Sequence, residues 1–273
     1  MGVAGEVGTT MTPMSERGGQ PRYPVESVGN ALIAADLLRS KPSLRVAELA
    51  DRLGVARSTA HRLMASLVSH GFAETDDAGQ GYVAGAGFLR LGALALDRLV
   101  IRQVAHSSLV TLARTTGETC ELALLDGVDV LLVDVVEGSH TLRVVDPVGS
   151  RAPAHLTAAG KAMLAALPEV EVEQLYDQDL LETRTKRSIG TRAELLEQLS
   201  RVRQMGYAEA RTELGEDYVG VAAPVVGADG MVVGGITVAL PVVRAAEDFA
   251  SAIGPKVVAA AGEVASRLEG RHR

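Results

Sequence analysis

Apolar residues return every three or four positions from Ser27 onward, at Val28, Ala31, Leu32, Ala35 and Leu38. That spacing predicts a helix, stopped by Lys41-Pro42-Ser43. A shorter helix is predicted over 46–53, with Leu49, Ala50 and Leu53 inward, and Gly54 supplies the left-handed backbone of a tight turn. A third helix is predicted from Arg57-Ser58-Thr59 to His70, with Leu63, Met64 and Leu67 as its buried stripe and Gly71 closing it. Residues 72–75 and 81–83 flank the polar turn 76–80 and predict a β-hairpin.

The helical period resumes over 86–115 in two stripes. Phe88, Leu91, Leu94 and Ala95 form the first, and Val104, Leu109 and Leu112 follow after a break. Beyond Gly117 the texture changes. Runs rich in β-branched residues and Leu predict strands over 120–125, 130–136 and 142–145, split by Asp126-Gly127 and Glu137-Gly138. Helices are predicted over 157–167, 169–177 and 192–205, strands over 219–226 and 231–240, and a last helix over 245–268. Early strands, middle helices and late strands predict an α+β fold around one antiparallel sheet. The expected division is a disordered tail over 1–24, a winged helix-turn-helix over 25–85, a helical linker over 86–115 and a second domain over 116–273.

The turn between the second and third helices carries the first functional signal. Ala50 is small enough for two helices to cross closely, and Gly54 lets the chain reverse. Arg57, Ser58, Thr59, His61 and Arg62 cluster near the start of the third helix, and no acid follows until Glu74. Such a helix fits the major groove of DNA, with its first residues facing base edges and phosphates. Arg45 and Gln80 are candidates for the DNA backbone, and Gln80 also for the minor groove. Spacing alone leaves a plain solvated face open as the alternative for Arg57 and Arg62.

Charge and cysteine narrow the picture further. A net charge of -7 argues against a chain that coats nucleic acid over its whole surface, but it is compatible with one small basic face. The single cysteine, Cys120, can form no internal disulfide, and a buried, inert thiol in a cytoplasmic protein is the expectation. No apolar run reaches the ~18 residues of a membrane span. No metal-ligand cluster, nucleophile elbow or dinucleotide fingerprint is visible, so no metal, cofactor or catalytic residue is expected.

Several blocks together resemble the IclR family of bacterial transcription regulators. They are Glu48-Leu49-Ala50 with Arg57-Ser58-Thr59-Ala60-His61-Arg62-Leu63, Gly117-Glu118-Thr119, and Pro153-Ala154-His155-Leu156-Thr157-Ala158-Ala159-Gly160-Lys161-Ala162. Arg203-Gln204-Met205-Gly206-Tyr207 and Val221-Ala222-Ala223-Pro224-Val225 complete the set. The resemblance implies a GAF-like effector domain behind the winged domain, a double-stranded DNA operator, dimers that often pair into tetramers, and a small-molecule effector, with carboxylates prominent.

Thr157 is a good N-cap, and Ala158, Ala159 and Gly160 leave their N–H groups at the positive end of a helix, a seat for a carboxylate. An ordinary cap with tight packing is the alternative. Carried across from the family, Leu142 and Val144 would form a pocket floor. Ala210 or Arg211 would follow from the segment after Tyr207, and Gly220, Thr237 and Ala239 from the late strands. These side chains are small, so a roomy, weakly polar pocket is expected. Arg211 would either pair with a carboxylate or sit on the surface against Glu209 or Glu213. Lys161 and His155 are expected to support the fold. Two other readings stay open: a DNA-binding protein whose second domain serves assembly alone, and an enzyme with an N-terminal interaction module.

Overall fold

The structure is a computed structural model and describes residues 25–271, so the expected tail over 1–24 lies outside the described residues. The described chain divides into two compact units that part between Arg98 and Leu99.

The first unit runs α1 (Glu26–Ser40), α2 (Val46–Leu53), α3 (Arg57–Ser69), β1 (Ala73–Thr75), β2 (Tyr82–Ala84) and α4 (Ala86–Asp97). Leu38, Leu44, Leu49, Ala60 and Met64 form its core. Each fully buried Leu or Met side chain contributes about 2–3 kcal/mol relative to exposure. Gly54 ends α2 at φ 66°, and the Val55 N–H reaches back to the Ala50 carbonyl at 3.1 Å. β1 and β2 pair antiparallel from Ala73 with Ala84 to Thr75 with Tyr82. The Leu44 and Tyr82 main chains exchange hydrogen bonds of 2.8 and 2.9 Å, which tie the hairpin to the entrance of α2. Phe72 and Phe88 meet edge to face at 5.1 Å. Within this unit Val28, Leu32 and Ile33 of α1 and Leu89, Leu91 and Leu94 of α4 stay exposed.

The second unit runs α5 (Val100–Thr116), β3 (Thr119–Asp126), β4 (Asp129–Val136), β5 (Arg151–Pro153), α6 (Ala158–Ala166), α7 (Glu169–Leu175), α8 (Arg192–Met205), β6 (Ala208–Arg211), β7 (Tyr218–Val226), β8 (Val232–Pro241) and α9 (Phe249–Arg271). The strands form one antiparallel sheet in the order β5-β4-β3-β8-β7-β6. α5 and α9 pack together on one face, and α6 covers the other, backed by α8. Leu122, Ile236, Val238 and Val221 fill the α5/α9 side, since a side chain at Gly234 would strike Ile101 of α5. On the α6 side the residues are smaller: Ala123, Ala208, Ala210 and Ala222 pack against Ala158, Ala159, Ala162 and Met163. Val257, Ala261 and Val264 of α9 are buried, while Val258 is 38% exposed.

Three expectations are corrected. Residues 142–145 are not a strand. The outer edge of β4 is already taken, because Leu132 exchanges main-chain bonds with Gly149 and Ser150, and β5 continues that edge. Two edge strands, β5 and β6, were not expected; three or four residues carry too little alternation to read. The last helix begins at Phe249 and not at 245, because the carbonyls of Ala245 and Ala246 accept from Arg211 outside any helix. The helical stretch 86–115 is two helices, one in each unit. Among the described residues no helix is long and apolar enough to cross a membrane.

Candidate nucleic-acid interface and ligand site

α3 turns Ala60 and Met64 inward and leaves Arg57, Ser58, Thr59, His61 and Arg62 exposed. The side chains of Arg57, His61 and Arg62 make no hydrogen bond or ion pair among the described residues, and α3 holds no acid. The N-cap residue is Ala56, whose methyl group cannot cap the helix, so the Arg57 and Ser58 N–H groups have no partner among the described residues. Two open amides, two guanidinium groups and a hydroxyl therefore share one solvent-facing helix end, an arrangement suited to phosphate.

Arg45 caps α2 with its main chain, donating to Glu48 Oε2 at 3.1 Å, and its side chain is exposed. Gln80 is exposed in the hairpin turn, where its N–H donates to Asp76 Oδ1 at 2.9 Å. Asp76 also accepts from Ser43 Oγ at 2.7 Å. Arg45 and Gln80 consequently line one shallow groove with Ser43 and Asp76.

In the second unit, Thr157 caps α6, and its Oγ1 accepts from the Gly160 N–H at 3.0 Å. The N–H groups of Ala158 and Ala159 have no partner among the described residues. A side chain at Gly160 would lie 2.1 Å from the Ala154 carbonyl oxygen, so glycine is required there for close packing. Gly220 lies under the start of α6, where an added Cβ would meet the Ala158 Cβ at 3.3 Å and Thr237 Cγ2 at 3.4 Å. Ala210, Gly220 and Ala239 are register partners across β6, β7 and β8, and Thr237 pairs with Ala222. The α6 cap, Ala210, Gly220, Thr237 and Ala239 are thus brought together.

Leu142 and Arg211 do not join them, while the main chain of Val144 is held by Thr119, the register partner of Ala239. Leu142 is 59% exposed, and its carbonyl accepts from Arg244 Nη1 at 2.6 Å. Val144 is half-buried on the same loop, its carbonyl held by Thr119 Oγ1 at 2.8 Å. Arg211 is drawn away by Glu209 at 2.8 Å and by the Ala245 and Ala246 carbonyls. Alternation on β6 sends Ala210 and Arg211 to opposite faces.

Lys161 and Glu213 form a buried ion pair at 2.7 Å, and Lys161 also donates to Gln198 Oε1 at 3.0 Å. Burial lowers the lysine pKa and raises that of Glu213, each opposed by the partner's charge. His155 bonds the Glu182 carbonyl at 2.8 Å through Nε2 and meets Tyr176 edge to face, with burial lowering its pKa. Cys120 is buried, and burial pushes its thiol up to about 12. Neither Lys161 nor Cys120 is placed to do chemistry.

Sequence reasoning missed Glu121, Asp146 and Tyr218. Glu121 shares the α6-facing side of β3 with Thr119 and Ala123, and its Oε1 is buried without a partner. The available signal was a charge on an otherwise small and hydroxylic inward row.

A family model described as the IclR helix-turn-helix domain matches residues 31–77. One described as the bacterial transcriptional regulator IclR C-terminal matches residues 93–266. The HTH-type transcriptional regulator KipR of Bacillus subtilis is 30% identical over 243 residues, spanning 89% of this chain and 97% of that protein. The crystal structure of the Thermotoga maritima IclR superposes with a TM-score of 0.68 at 27% identity, over 90% of this chain and 99% of that one. An IclR homolog from Microbacterium hydrocarbonoxydans, solved in complex with 4-hydroxybenzoate, shares the fold at 22% identity. Its TM-score is 0.69, over 90% of this chain and 99% of that one.

Proposed function

Because the chain belongs to the IclR family of bacterial transcription regulators, it is a DNA-binding regulator and not an enzyme, and we propose how its residues divide that work. α3 enters the major groove of an operator, with Arg57, Ser58, Thr59, His61 and Arg62 as its reading and phosphate-contacting face. Arg45 and Gln80 hold the flanking backbone. The observation that carries this reading is the solvent-facing start of α3, which is basic, free of acids and uncapped.

A second copy completes the operator complex. The exposed apolar residues of α1 and α4, with Leu89 at 76% exposure, support a homodimer, and dimers pair further into tetramers. Two recognition helices then meet two half-sites. The effector site lies at the first turn of α6, with Thr157 to Gly160 around it and Ala210, Gly220, Thr237 and Ala239 beneath. The free Ala158 and Ala159 amides receive a carboxylate. 4-Hydroxybenzoate, the ligand in the Microbacterium structure, is of that class. Effector binding shifts the spacing of the two recognition helices through residues 86–115, with a coupling of about 1–3 kcal/mol.

The test is binding of the full-length protein to DNA from its own upstream region, by fluorescence anisotropy across a salt series. Specific binding that weakens steeply with salt is expected. Binding equal to that of unrelated DNA would overturn the reading.

A further inference from the structure

β3 carries a carboxyl group where its neighbours on the same face are small or hydroxylic. Glu121 stands between Thr119 and Ala123 and faces Thr237 on β8 and Val135 on β4. Its Oε1 is fully buried and unpartnered, although the residue as a whole keeps partial exposure. A buried acceptor left without a donor is destabilising, and native structures supply one from protein, water or ligand.

Among the described residues no cation acts on Glu121. Asp146 belongs to the loop over 137–150, which Thr119 and Arg244 pin by the Val144 and Leu142 carbonyls. Asp217 and Tyr218 stand at the entrance of β7. Burial raises the Glu121 pKa to about 8, with Asp146 adding to it, and burial and Asp217 raise that of Asp146. Burial raises the Tyr218 pKa too, and all three acids add to it. The cation felt by this set is Arg184, which acts on Tyr218 and on neither buried acid. Among the described residues no cluster has the make-up of a metal site. An orphaned carboxyl oxygen with a second acid acting on it and no cation acting on either is matched by an organic cation.

The opposite end of the site favours an anion, through the unpartnered amides of Ala158 and Ala159 above Gly220. Gly220 and Glu121 lie two strands and two residues apart, about 12 Å between Cα atoms at ordinary sheet spacings.

We propose that the effector is a small ω-amino acid, its carboxylate on the first turn of α6 and its ammonium donating to Glu121. The inference rests on the α6 site being the effector site. Glu121 is then the residue that selects amine-bearing acids from plain ones. Its carboxyl gives up a proton as the ammonium arrives, so binding is linked to proton release.

Calorimetric titration of the full-length protein with 4-aminobutanoate, butanoate and succinate tests this. The amino acid is expected to bind at least about tenfold more tightly than butanoate, a gain typical of one charge-assisted bond. In Glu121→Gln the preference is expected to collapse to within about threefold. At pH 7, in buffers of different ionisation heat, wild-type binding of the amino acid is expected to release up to about one proton. Thermal melts of both proteins confirm folding. Butanoate or succinate binding as tightly as the amino acid would refute the amine while leaving the acid site standing. If none of the three binds, the site and the proposal fall together.

Discussion

The buried pair of Lys161 and Glu213 permits a prediction whose size and pH dependence both follow from the structure. Lys161 has a fully buried side chain, and that of Glu213 is 9% exposed. Lys161→Met keeps the volume and strands the carboxylate. Glu213 then escapes an unpaired buried charge by taking a proton. A free glutamate titrates near 4.5, so forcing protonation at pH 7 costs about 3.4 kcal/mol, and at pH 5 about 0.7 kcal/mol. The loss is therefore expected to be about 3 kcal/mol at neutral pH and to shrink as the pH falls, because the raised carboxyl pKa stabilises only where the proton is already bound. Glu213→Leu strands the amine instead. Lysine titrates near 10.5 when free, so this penalty is expected to shrink as the pH rises. The double variant Lys161→Met/Glu213→Leu removes both charges and is expected to lie within about 1–2 kcal/mol of the wild type. Urea unfolding of the four proteins from pH 5 to pH 9 measures all of this. Single variants with flat or parallel pH profiles, or a double variant as unstable as the two singles together, would refute the account.

Other perturbations have equally definite outcomes. Arg57→Ala is expected to weaken operator binding by about 1–3 kcal/mol in anisotropy titrations, with the melting temperature unchanged, since the Arg57 side chain is exposed and has no partner among the described residues. Equal losses of stability and binding would make Arg57 structural. Gly160→Ala places a methyl 2.1 Å from the Ala154 carbonyl oxygen, so a loss of about 1–3 kcal/mol and a drop of several degrees in Tm are expected. For Glu121, whose carboxyl is pushed up to about 8 by burial, with Asp146 adding to it, ligand-free stability is expected to fall as the pH rises from about 5 to 8. Glu121→Gln is expected to lessen that slope, and denaturant curves across this range check it. Leu91→Asp with Leu94→Asp charges the exposed face of α4, and light scattering is expected to show a smaller assembly than the wild type forms; equal masses would refute the proposed role of this face.

Much of this protein is written locally. The three helices of the DNA-binding unit, the reversal at Gly54, the hairpin and the Thr157 cap all depend on residues within about four positions of one another, and local period and capping chemistry disclose them. Family likeness added the effector domain. The same local reading fails over 142–145, where Leu142, Val144 and Val145 look like a strand but the outer edge of β4 is already taken by 149–153. It also fails at Arg211, whose direction is decided by Glu209 and by two carbonyls far along the chain. Glu121 is the sharpest case. Its chemistry arises only when β3 lies against β8, with Asp146, Asp217 and Tyr218 close enough to act on one another. Helix caps and turns are settled by neighbours in sequence, whereas the burial of a charge is settled by which distant strands and loops close over it.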